Sequence, residues 1–122
     1  MPTSNGRMYL SGQITGLSVE VYERNFDNAG YLARLAGWEP VNPITLAPVG
    51  ADCCCTAAFR VGTGKHDWRC YLKRDLRELL SCSAIGMLEG WEVSAGARLE
   101  NFVAINTGIP VYQIRLGRFE LA

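Results

Sequence analysis

The sequence has a single histidine, His66, no Cys-x-x-Cys pair and no excess of charge of either sign. Each absence excludes something. A zinc or redox site needs converging histidine and thiolate ligands. The five cysteines, Cys53, Cys54, Cys55, Cys70 and Cys82, are odd in number with three adjacent, a poor framework for disulfides. We read them as reduced thiols and expect no metal. A Cys–His nucleophile pair, Cys54 or Cys70 with His66, stays open at this level, since an activated thiol depends on surroundings that spacing does not give. Lys and Arg number 12, as do Asp and Glu, for a formal net charge of zero, which argues against a nucleic-acid or membrane-surface binder. No run approaches the ~20 apolar residues of a membrane span, and Met1 to Arg7 lacks the apolar stretch of a signal peptide. The expectation is a cytoplasmic protein without membrane contact. The turn Gly12-Gln-Ile-Thr-Gly16 has neither the lysine of a P-loop nor the third glycine of a dinucleotide fingerprint, so neither nucleoside triphosphates nor NAD are indicated.

What is present is a regular alternation. A chain of 122 residues, 48% of them hydrophobic, forms one domain over 1–122 with a real core. Met8 to Ser11 reads as a short strand. From Val19 to Ala36, the positions Val19, Tyr22, Phe26, Ala29, Leu32, Ala33 and Ala36 recur at helical spacing, with Gly37 to close the helix. Trp38 to Asn42 reads as a second strand, and Pro40, which cannot donate to a ladder, places it at a sheet edge. Pro43 to Lys65 shows no period and reads as a long loop with short helical turns. Asp67 to Cys82 is a second helix with Asp67 as its cap, burying Trp68, Tyr71, Leu72, Leu76, Leu79 and Leu80 and turning Arg74 outward. Ser83 to Leu88 is a third strand, Ala95 to Thr107 a third helix burying Ala97 and Phe102 to Ile105, and Val111 to Ile114 a fourth strand. Arg115 to Ala122 is a mixed tail, a last strand or an interface arm.

This pattern predicts an α/β, three-layer Rossmann/flavodoxin-like domain with a small parallel sheet in the order 2-1-3-4. That order sets the loops after strands one and three side by side at the switch point, where ligands bind in such sheets. Tyr9, Gly12, Asp75, Ser94, Arg98 and Glu100 then face one crevice. Ser94 caps the third helix, so Gly96, Arg98 and Glu100 lie in its first turns. Two glycines flanking Gln13 and Ile14 let backbone N–H groups approach a ligand closely. At this level Arg98 and Glu100 are equally ordinary solvated helix residues, and Asp75 an interfacial carboxylate paired with a nearby arginine.

Four segments carry a resemblance: Tyr9-Leu-Ser-Gly-Gln-Ile-Thr-Gly16, Gly37-Trp-Glu-Pro-Val-Asn-Pro43, Arg74-Asp-Leu76 with Cys82-Ser-Ala84, and Gly90-Trp-Glu-Val-Ser-Ala-Gly-Ala-Arg-Leu-Glu100. In this order and spacing, the chain from Arg7 to Tyr112 resembles the nucleoside 2-deoxyribosyltransferase-like superfamily. Its nearest branch is the small proteins called DUF4406, frequent in phages and prophages. The resemblance implies cleavage or transfer of an N-glycosidic bond in a nucleoside or nucleotide. A glutamate of a Gly-x-x-x-Glu element attacks the anomeric carbon in such enzymes, and Gly96 and Glu100 match it. Asp75 matches an aspartate that assists the leaving base, and Tyr9 a tyrosine that orients the nucleophile. Gly12, Gln13 and Ile14 match the loop against the sugar or its 5′ substituent. Ser94 stands where transferases often carry aspartate and where a nucleotide hydrolase branch uses serine on a 5′-phosphate. Thr15 stands where that branch has arginine, and Arg98 is the candidate replacement for that charge. Two carboxylates suffice for the chemistry, so no cofactor is expected. Relatives form homo-oligomers that complete each other's sites, so a homodimer or larger assembly is expected. The alternative on the same fold is a non-catalytic nucleotide-binding or sensing module, and the third a purely structural α/β protein.

Overall fold

The computed structural model describes residues 5–46, 68–115 and 118–121. Cys53, Cys54, Cys55, His66 and the expected cap Asp67 lie outside the described residues, as does most of the long loop. Eight principal elements follow in order: β1 (Arg7–Ser11), α1 (Val19–Leu35), β2 (Glu39–Val41), α2 (Trp68–Leu80), β3 (Ala84–Leu88), α3 (Ala95–Asn106), β4 (Val111–Arg115) and β5 (Arg118–Leu121). Four parallel strands run 2-1-3-4, and β5 adds antiparallel to β4. The fold is thus the α/β Rossmann/flavodoxin-like arrangement expected, with the tail read as a strand or an arm supplying a fifth strand. β2 is an edge strand, as Pro40 requires.

Alternation along the two central strands builds the layers. Met8 and Leu10 point to one face with Ala84 and Leu88, where Phe26, Ala29 and Ala33 of α1 cover them. Tyr9 points to the other face with Ile85 and Met87, against Leu79 of α2 and Ala97 and Ala104 of α3. With both faces covered, β3 can be apolar throughout and β1 apolar from Met8 to Leu10. Ser18 caps α1 by accepting from the Val21 N–H. Gly37, at φ +91, ends it: the Trp38 N–H reaches back 2.9 Å to the Ala33 carbonyl, a left-handed closure that glycine makes at little cost.

Helical faces depart from the sequence expectation at three places. Ala97 and Ala104 are buried as expected, but Phe102 and Ile105 are 62% and 61% exposed, and Glu100 completes the buried stripe of α3 in their place. An apolar run that wraps a helix does not reveal which side meets the sheet, and small residues permit the closest approach here. Leu80 and Tyr71 of α2 are exposed as well. Arg74, expected to face outward, is half-buried.

β1 and β3 are neighbours with Ser11 opposite Met87, so the segments leaving their carboxyl ends lie side by side. Gly12 is the first residue beyond β1, and a Cβ built there would stand 2.8 Å from the Leu88 Cβ and 3.1 Å from its Cδ2. The glycine is required by that approach. Gly12→Ala is expected to destabilise the chain by ~1–3 kcal/mol through overpacking, read as a lower urea midpoint; an unchanged midpoint would show that the loop yields freely.

Candidate active site

The stripe that buries Ala97 and Ala104 also buries Glu100, which is 6% exposed. A carboxylate there needs donors for both oxygens. The Ser11 hydroxyl donates to Oε1 at 2.6 Å and the Tyr9 hydroxyl donates to Oε2 at 2.7 Å. Both come from β1, two residues apart and hence on one face of the strand. Tyr9 is fully buried, and burial together with the neighbouring carboxylates pushes its phenol far above the ordinary value, so it remains a donor. Burial raises the Glu100 carboxyl from 4.5 to about 7; the two hydroxyl donors hold it down and Asp75 adds to the rise.

Above Glu100 opens a cavity of about 510 Å³. The segment after β1 contributes Gly12, Ile14 and Thr15, and α2 contributes Tyr71, Leu72, Arg74 and Asp75. The start of α3 contributes Ser94 to Ala97. Ser94 caps that helix, its Oγ accepting from the Ala97 N–H at 3.2 Å. The turn before it, Trp91–Val93, is held to β4 by the Trp91 indole N–H donating to Gln113 Oε1 at 3.2 Å. Asp75 is 19% exposed at its side chain and paired with Arg74. Burial raises its carboxyl above the ordinary value, and the Arg74 guanidinium opposes the rise.

Six of the residues singled out in the sequence therefore share one wall: Gly12, Ile14, Asp75, Ser94, Gly96 and Glu100. Tyr9 lies beneath it, bonded to Glu100. Two do not line it. Gln13 donates from Nε2 to the Thr15 carbonyl at 3.1 Å and braces its own loop. Arg98 is exposed on the outer side of α3 and away from the cavity lining, so the replacement charge expected of it is not supplied there. Helical geometry explains this, since a residue two positions from Glu100 points to a different side. Ser11, Thr15 and Arg74 belong to the site without having been singled out for it. Ser11 had a signal: it is two residues from Tyr9 on one strand. No cluster of three metal-ligating groups occurs among the described residues, and Cys70, which the sequence left as a nucleophile candidate, is buried.

A smaller cavity of about 310 Å³, lined by Asn25, Asn28, Glu89 and Arg115 among others, contains a single carboxylate. Paired carboxylates occur only in the larger one of these two.

Because the folded chain holds a proton on Glu100 up to about pH 7 and the unfolded chain only to about 4.5, this group's contribution is fully present below pH ~4.5 and is lost as pH rises through ~7. Glu100→Gln cannot ionise and escapes that loss. The variant is expected to exceed the wild type at pH 8 by on the order of 3 kcal/mol, with the gap closing in acid. Parallel pH–stability curves from urea melts would contradict the assignment.

A family model described as a domain of unknown function, DUF4406, matches residues 6–113. No curated protein and no solved structure gives a significant match. The matched span starts before β1 and ends within β4, so it contains the whole cavity wall, and the chain belongs to the DUF4406 family.

Proposed function

We propose that the chain cleaves or transfers the N-glycosidic bond of a nucleoside or nucleotide, with Glu100 as nucleophile. The observation that carries this is a buried carboxylate held by two hydroxyl donors at the floor of a cavity that a second carboxylate, Asp75, also lines. The resemblance of the Gly96 to Glu100 element to nucleoside 2-deoxyribosyltransferase-like enzymes supports the same reading.

In this mechanism a carboxylate oxygen of Glu100 attacks C1′ of the sugar. The C1′–N bond breaks with its electron pair going to the base, which takes a proton from Asp75. The product is a glycosyl ester on Glu100. Water, or a nitrogen of a second base, then attacks C1′; its proton passes to Asp75 and Glu100 leaves as carboxylate. A raised Asp75 carboxyl suits the acid role, and a Glu100 carboxyl near 7 suits a nucleophile poised between its two forms. Tyr9 and Ser11 fix its rotamer and favour the ionised form. The backbone at the start of α3 and the Gly12 to Thr15 segment meet the sugar. Exposed Phe102 and Ile105 on the outer face of α3 support the homo-oligomer that the resemblance implies.

The test is chromatographic measurement of free base from ribo- and deoxyribonucleosides and their 5′-monophosphates, with and without an acceptor base. Wild type is expected to release base and Glu100→Ala to lose at least ~10³-fold of that rate. Release unaffected by the substitution rejects Glu100, and ligand binding without release makes the chain a nucleotide-binding module instead. Activity requires ionised Glu100, so kcat/KM is expected to fall as pH drops through ~7. Tyr9→Phe removes a donor to the carboxylate and is expected to move that acid limb upward; an unmoved limb would separate the titration from Glu100.

A further inference from the structure

We propose that Arg74 is the positioning residue of the acid–base step, holding Asp75 by one carboxyl oxygen so that the other faces the substrate. The inference rests on the N-glycosidic reading above. Adjacent helix residues normally diverge, yet Nε and Nη2 of Arg74 both donate to Asp75 Oδ1, at 3.1 and 2.9 Å. The guanidinium is held in this position from two further sides. Nη2 also donates to the Pro43 carbonyl at 3.3 Å, and the guanidinium carbon sits 5.4 Å from the centroid of the Tyr71 ring, one turn earlier on α2.

An unconstrained arginine–carboxylate pair tends to a fork-to-fork contact that engages both oxygens. Here both bonds fall on Oδ1, and no described residue bonds Oδ2. Among the described residues, no buried side-chain oxygen lacks a partner, and Asp75 lines the cavity, so Oδ2 opens towards it. Two donors from a cation exclude a proton from Oδ1. The proton of a neutral Asp75 therefore sits on Oδ2, on the side where the base leaves. In the first step that proton moves from Oδ2 to the base as the C1′–N pair departs, and in the second Oδ2 takes one proton from the attacking water or base. Among the described residues, the charged and titratable groups acting on Asp75 are Arg74 and Glu78 from its own helix, with Glu100 of α3 and Tyr9 of β1 across the cleft. Arg74 is the one cation among them.

The test measures base release over a range of pH for wild type, Arg74→Gln, Arg74→Lys, Asp75→Asn and the Arg74→Gln/Asp75→Asn pair, with thermal melts of each. Arg74→Gln is expected to lower kcat by at least ~10-fold with little change in KM. It also removes the cation that opposes protonation of Asp75, so the alkaline limb of kcat/KM moves to higher pH. In the Asp75→Asn background the same change is expected to cost nothing further. Arg74→Lys keeps the charge and is expected to return the alkaline limb towards the wild-type position. An unmoved limb, or an equal loss with and without Asp75, overturns the role of Arg74 even if the variant melts at a lower temperature. A wild type that releases no base overturns the underlying reading instead.

Discussion

The pair of hydrogen bonds from Tyr9 and Ser11 to Glu100 is the constraint on which the arrangement of this chain depends. A buried carboxylate without donors costs several kcal/mol. Here both donors come from one face of the central strand. That requires α3 to lie across β1 close enough for hydroxyl contact, which the small residues Ala97 and Ala104 allow. The same contact sets the start of α3 beside the segment leaving β1, so packing and the candidate site are consequences of one geometry. Burial still wins over the two donors, since the carboxyl is raised overall. A chain selected for stability alone would carry an apolar residue at this position.

Much of the architecture is legible in the sequence. The short apolar run Met8 to Ser11, the helical period from Val19 and the edge proline Pro40 are readable in turn as a strand, a helix and a sheet edge. With the alternation of strands and helices along the whole chain they point to the order 2-1-3-4, and that order brings Gly12, Asp75, Ser94 and Glu100 to one place. Helix orientation was less accessible. In α3 the residues from Phe102 to Ile105 are all apolar or small, so the period does not select a side. The selection comes from Glu100, whose partners lie on β1, about ninety residues earlier in the chain.

Arg98 and Arg74 show the same limit from opposite directions. Both are arginines within two residues of a candidate carboxylate. Arg98 follows helix geometry and faces outward. Arg74 curls back on Asp75 because the Pro43 carbonyl and the Tyr71 ring hold it there. Those anchors lie on the segment after β2 and one turn back on α2, and no local pattern announces them. Charge near a site was readable from sequence; its direction was decided by tertiary contacts.

The central claim is that Glu100 forms a covalent bond to the anomeric carbon. An arabinonucleoside bearing fluorine at C2′ tests it most directly, because the electron-withdrawing substituent destabilises the oxocarbenium-like transition states and slows breakdown of the glycosyl-enzyme. After incubation and proteolysis, mass spectrometry is expected to find the fluoro-sugar on the peptide containing Glu100, with one equivalent of base released. Base release from the natural nucleoside with no adduct formed, or with the sugar on a different residue, would contradict the account.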